Sequence, residues 1–173
     1  MLRLVDYPQR NRLEILRWSS PPWATRLRSR ATLRRAAGTH FVDPSLAAAA
    51  LGAGPKRLLA DLNFSGLLFE SLVVRDPRVY AQPLDGTVHH YRDSDGLEVD
   101  VVVQTRGGTW GAFEVKLGQG SVDEAAAALL TFAAKVDSRE VGAPAVLGVI
   151  TATGCGYTWP DGVVVVPIGA FGP

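Results

Sequence analysis

The period of the apolar residues changes at Pro83, and that change restricts the fold more than any other feature of this 173-residue chain. Before it, Leu58, Leu59, Leu62, Leu67, Leu68, Leu72 and Val73 recur at helical spacing. They predict one helix from Pro55 to Asp76-Pro77, with Asn63 and Gly66 as weak points. After it the period is two. Residues 87–92, 97–104 and 109–116 read as three strands, separated by Asp93-Ser94-Asp95-Gly96 and by Arg106-Gly107-Gly108. Upstream, Asp43 caps a short alanine-rich helix with Pro44 at its first position and a stop at Gly52 and Gly54. Downstream, Ser121 and Glu124 have capping-box spacing at the start of a helix running to about Val136, and residues 145–151 and 163–167 read as buried strands. Helix, three antiparallel strands, helix, strand, strand is the order of an α/β domain, a mixed central sheet flanked by helices.

Composition removes several alternatives. Hydrophobic residues make up 47% and charged residues 20%, and the mean hydropathy is +0.10, which is globular rather than disordered. A lone Cys155 excludes an internal disulfide framework and a cysteine-based zinc site, and points to a reducing compartment. No apolar run reaches the roughly 18 residues of a membrane span. The first residues, Met1 to Asp6, lack a signal-peptide core, so a cytoplasmic protein is expected. Charge is uneven: residues 1–40 carry nine arginines against Asp6 and Glu14, a net +7, which leaves −6 on the rest of a chain whose total is +1.

The chemistry lies in the second and third strands. Alternation places Glu98, Asp100 and Val102 on one face, with Val99, Val101 and Val103 on the other. In the next strand Trp110, Ala112, Glu114 and Lys116 share a face. Pairing Asp100 with Glu114 requires an index sum of 214, which closes the hairpin around Arg106-Gly107-Gly108 with Thr105 opposite Thr109. Two carboxylates so placed, Asp100 and Glu114, form a hard-oxygen site for Mg²⁺ or Mn²⁺, and Lys116 beside them would orient a water or stabilise charge on a phosphate. An ordinary cross-strand ion pair fits the same residues. Glu70 stands among leucines and phenylalanines and needs a cation or donor, and Gln119 follows the third strand closely enough to reach the same pocket. His89 and His90 alternate in face, and so do not ligate one metal together.

Asp-x13-Glu-x-Lys has the order and spacing of the PD-(D/E)xK nuclease-like phosphodiesterases. Together with Phe41-Val42-Asp43-Pro44-Ser45-Leu46, Leu58-Leu59-Ala60-Asp61, Gly66-Leu67-Leu68-Phe69-Glu70, His90-Tyr91-Arg92 and Gly96-Leu97-Glu98-Val99-Asp100, it gives a specific likeness. Over residues 15–136 the chain resembles the C-terminal domain, of unassigned function, of uncharacterised prokaryotic AAA-type ATPases of the archaeal group. The resemblance implies a restriction-endonuclease-like fold in residues 41–173, preceded by a truncated winged-helix-like remnant in residues 1–40. It also implies an ATPase partner or a homodimer. A fragment, a truncated gene product and a stand-alone descendant all fit a chain with no G-x-x-x-x-G-K-[ST] loop, which is therefore not itself the ATPase.

Two functions follow as expectations: a metal-dependent nuclease using Asp100, Glu114, Lys116 and Glu70, and a non-catalytic nucleic-acid-binding or protein-interaction module of the same fold. In either, Arg26, Arg28, Arg30 and Gln119 are the expected nucleic-acid contacts, arginine being suited to bidentate phosphate binding and stacking. Trp18 and Trp23 fit either base stacking or a small core.

Overall fold

The computed structural model describes residues 17–23, 38–170 and 172, and Arg26, Arg28 and Arg30 lie outside them. Strands β1 (Arg17–Ser20) and β2 (Gly38–Phe41) form an antiparallel pair. The helices that follow are α1 (Pro44–Ala50), α2 (Pro55–Ala60) and α3 (Leu62–Tyr80). Next come β3 (Thr87–Arg92), β4 (Glu98–Gln104), β5 (Trp110–Lys116), α4 (Val122–Lys135) and α5 (Ser138–Val141), then β6 (Val146–Thr151), β7 (Tyr157–Thr158) and β8 (Val164–Pro167). The main sheet has the order β3-β4-β5-β6-β8-β7. β3, β4 and β5 are antiparallel, and β5, β6 and β8 run parallel. Helix α4 makes the crossover between β5 and β6, so the expected mixed sheet with flanking helices is what forms.

Each face of the sheet buries one helix. On one face Val122, Ala125, Ala126, Leu129 and Phe132 of α4 pack with Val102, Trp110, Ala112, Val149 and Val165. On the other, Phe69 and Val73 of α3 meet Ile150, while Val74 meets Val88 and Val101. Trp23 joins the α4 face. It is 2% exposed, its ring lies 4.9 Å from that of Trp110, and its Nε1 donates to Gln104 Oε1 at 2.9 Å. Removing a core ring of this size costs about 3–5 kcal/mol, so this part of the basic front segment belongs to the core. Trp23 N–H to His90 O at 2.8 Å and His90 N–H to Pro21 O at 3.2 Å tie it to the edge strand β3.

Three expectations about the helices need correction. The single helix after Pro55 is two, because Asp61 accepts from Phe64 N–H and caps a new helix. That helix passes through Pro77 to Tyr80, since Pro77 is buried and its carbonyl accepts from Ala81 N–H at 2.8 Å. Ser121 makes no capping bond, because a 3-10 turn over Gln119–Ser121 precedes α4 and Val122 N–H is taken by Gln119 O. The short elements α5 and β7 carried no periodic signal.

Register is as expected from the index sum. Val101 pairs with Phe113, Val102 with Ala112, Val103 with Gly111 and Gln104 with Trp110. Thr105 N–H reaches Thr109 O at 2.8 Å, and Gly108 takes φ +88°, the left-handed residue that a three-residue hairpin loop requires. The strict alternation expected along β4 does not hold. Pairing with β3 slips between His89–Val102 and Tyr91–Val99, so Asp100 and Val101 together oppose one residue, a β-bulge. Val99 consequently joins Val102 on the α4 face, while Val101 and Val103 pack towards α3.

Candidate metal centre

The bulge is what re-aims Asp100. Pairing of β4 with β5 ends at Val101–Phe113, and beyond it the Asp100 carboxylate takes the place of a strand carbonyl, accepting from Val115 N–H at 2.8 Å. That bond fixes the carboxylate beside Glu114 and Lys116 on β5. Glu114 is 5% exposed, and its Oε2 accepts from Lys116 Nζ at 2.8 Å. The Asp100 and Glu114 carboxyls are close enough for each to shift the other's titration. Asp100 keeps part of its surface accessible, but its carboxyl is enclosed by protein.

Electrostatics follow from this crowding. Burial first, then the charge of Asp100, pushes Glu114 up to about 8 against the opposing pull of Lys116. Burial raises Asp100 as well, opposed by Val115 N–H and Lys116. The pair therefore holds a proton between two carboxylates at neutral pH. Burial lowers the Lys116 pKa, yet the charge and hydrogen bond of Glu114 outweigh it and keep the ammonium protonated. Glu70, half-buried on α3, is raised to about 7 by burial and then by Asp100, with Lys116 opposing. It lines, with Asp100, a cavity of about 160 Å³ shared with His40, His90 and Arg92. On the rim of that cavity Arg92 Nε meets Glu98 Oε1 at 2.7 Å.

The residues expected from sequence thus divide. Asp100, Glu114 and Lys116 come together, and Glu70 stands at the adjoining cavity. Gln119 turns away, its Nε2 donating to Thr153 O at 2.7 Å beyond the end of β6. Sequence reasoning missed His40, whose Nδ1 lies 3.7 Å from Glu70 Oε1, and Ser71, whose Oγ accepts from Phe41 N–H and so ties β2 to α3 beside Glu70. The available signal was the Gly38-Thr39-His40-Phe41 stretch just before the Asp43 cap.

Among the described residues no three His, Cys, Asp or Glu side chains are placed to hold one ion. A cation here would take the two carboxylates, with backbone carbonyl and water oxygens completing the set. The donor chemistry fits Mg²⁺ or Mn²⁺, since both side-chain ligands are hard oxygens and the proton they share is what a cation would replace. Without a cation the charged form of Glu114 is disfavoured in the fold. Its stabilising contribution is fully present below its ordinary value of 4.5 and is lost as pH rises through about 8. Metal-free protein should therefore lose on the order of 3 kcal/mol between pH 5 and 9. Thermal melts of Glu114→Gln should flatten that slope and leave the share that the raised Glu70 contributes, and a slope unchanged by the substitution would count against the shared proton.

Among the described residues no helix is long and apolar enough to cross a membrane. No curated protein and no solved structure matches the chain. A family model described as a domain of unknown function, DUF4143, matches residues 65–171, from within α3 past the end of β8. That span holds Glu70, Asp100, Glu114 and Lys116 and covers more than half of the chain, which therefore belongs to the DUF4143 family.

Proposed function

We propose that this chain is a nuclease-like phosphodiesterase domain of the restriction-endonuclease-like PD-(D/E)xK kind, acting on nucleic acid with Mg²⁺ or Mn²⁺. It is akin to the domains found C-terminal to AAA-type ATPases. One observation carries the reading: Val115 N–H, at 2.8 Å, fixes the Asp100 carboxylate beside the buried Glu114, whose Oε2 holds the Lys116 ammonium at 2.8 Å. Perturbed carboxylates with a charged partner beside a cavity are commoner at working sites than in ordinary ion pairs.

Asp100 and Glu114 would hold the cation, which when bound supplies Lewis-acid polarisation of a phosphoryl oxygen. Val115 N–H fixes the Asp100 carboxylate, so its geometry does not depend on the ligand. Lys116, protonated and oriented by Glu114, places positive charge where the pentavalent phosphate gains negative charge, the preorganised stabilisation that contributes most in such sites. Glu70 stands at the wall of the adjoining cavity, as an outer-shell carboxylate.

A second reading, a non-catalytic nucleic-acid-binding or protein-interaction module of the same fold, is favoured by one fact. Glu114 and Lys116 satisfy each other without a ligand. Incubating the chain with plasmid, linear and branched DNA and with RNA, with and without Mn²⁺, separates the two. Mn²⁺-dependent cleavage of at least one substrate, lost in Asp100→Asn, is expected. Full resistance of all of them leaves the module.

A further inference from the structure

The His90-Tyr91-Arg92 stretch has no part in the metal centre, yet it reaches the same cavity. Tyr91 packs on the α4 face, so alternation along β3 turns Arg92 to the α3 face, where it is paired directly with Glu98 of β4. There both line, with Glu70 and Asp100, the cavity of about 160 Å³. The backbone of Arg92 is held on either side: Tyr91 is 1% and Asp93 0% exposed, and Tyr91 OH donates to Asp93 Oδ2 at 3.0 Å.

The guanidinium has donors to spare. Its side chain is 34% exposed, and its Nε lies 2.7 Å from Glu98 Oε1, a charge contact that is not aligned as a hydrogen bond. Among the described residues none accepts from its five N–H groups. Arg92 is also the one arginine or lysine among the described residues that line this cavity, whose carboxylates are Glu70, Glu98 and Asp100. Such a wall repels an anion except where a cation sits. Glu98 meets the Nε edge of the guanidinium, which leaves the Nη1–Nη2 edge to donate in parallel to two oxygens of a phosphate.

We infer that Arg92 binds a backbone phosphate next to the one at the cation, so that the substrate is a polynucleotide strand rather than an isolated phosphodiester. The phosphate at the cation rests on the nuclease reading; the contact of Arg92 with a strand phosphate is read separately, by binding. Lys116 and Arg92 then have different partners. The first faces the reacting phosphate and the second its neighbour.

The test replaces the backbone phosphates of a short strand, one at a time, by neutral methylphosphonate. Binding to the full chain is measured on single-stranded DNA, duplex DNA and RNA, with Ca²⁺ in place of Mn²⁺ so that no cleavage intervenes. Besides the phosphate at the cation, one flanking position should weaken binding about tenfold when neutralised. Arg92→Met should make that position silent, lower affinity for the unsubstituted strand about tenfold, and shallow the slope of log affinity against log salt by about one. The fold should tolerate the change, since an exposed pair of this kind adds little to stability. Arg92→Lys should keep the slope but recover only part of the affinity, because an ammonium restores the charge and not the two-oxygen contact. Arg92→Met combined with Glu98→Gln should stay weak; recovery there would mean that Arg92 only neutralises Glu98, and overturns the inference. With Mn²⁺, Arg92→Met should raise KM for the strand about tenfold and keep kcat within about threefold. A methylphosphonate profile that Arg92→Met leaves as it was, or no binding to any of the three nucleic acids, also overturns the inference. Should binding depend on Arg92 in this way while nothing is cleaved, the nuclease reading fails and the phosphate contact stands. Should the chain cleave and Arg92→Met match it throughout, the nuclease reading stands and the phosphate contact fails.

Discussion

Lys116→Ala is expected to lower Mn²⁺-dependent hydrolysis by about 10³-fold, the loss typical of removing a preorganised charge or proton-transfer group from a water-poor site. The fold should survive the change. Glu114 is already pushed up to about 8, so when its ammonium partner is removed it keeps its proton rather than remaining as an unpaired buried charge. Lys116→Arg divides the two roles the side chain can play. Guanidinium keeps positive charge but cannot act as a base at accessible pH, so activity retained within about tenfold of the unmodified chain identifies charge stabilisation. Activity equal to that of Lys116→Ala identifies proton transfer. The raised pKa of Lys116 favours the first. If Lys116→Ala hydrolyses as fast as the unmodified chain, the residue has no part in the chemistry.

The largest stability effect is expected well away from this centre. Asp93, in the β3–β4 turn, is fully buried. Its Oδ2 accepts from Tyr91 OH at 3.0 Å and from Lys135 Nζ at 2.7 Å, and its Oδ1 accepts from the N–H groups of Asp95 and Leu97 at 2.9 and 3.0 Å. Lys135 lies at the last turn of α4 and also reaches Asp95 Oδ2 at 2.7 Å. Lys135→Met removes the cation and leaves a buried carboxylate. Breaking a buried pair in this way costs about 3–5 kcal/mol, which for a domain of this size lowers Tm by about 10 °C. Asp95→Ala, which removes only the exposed partner, should cost less than about 1 kcal/mol. Equal losses in the two variants would mean that Lys135 is held mainly by its exposed contact.

Both results bear on how much of the molecule was legible in its sequence. The β4–β5 register was, because a period of two fixes which residues share a face and the Gly107-Gly108 pair fixes the loop that joins the strands. The meeting of Asp100, Glu114 and Lys116 followed from that register and from the spacing of three polar side chains in apolar strands. The β-bulge did not, since a bulge is set by how the strand meets both neighbours at once and leaves no mark in its own alternation. It moves Val99 to the α4 face and frees Asp100 to bond Val115 N–H, so the site forms by a route that simple alternation does not describe. Trp23 and His40 were obscured for a different reason. Each comes from a short strand or bridge in a segment without periodicity, and its partners, Trp110 and Glu70, lie far along the chain. The Asp93–Lys135 pair joins a turn to a helix end, where each residue separately reads as ordinary surface charge.

Titration of Mn²⁺ into the chain by calorimetry at pH 8, with Asp100→Asn as the control, tests the central claim most directly. The account predicts saturable Mn²⁺ binding accompanied by proton release from the carboxyl pair, and loss of that binding in Asp100→Asn while the circular dichroism spectrum is unchanged. No Mn²⁺ binding by the unmodified chain, or binding that Asp100→Asn leaves intact, would contradict it.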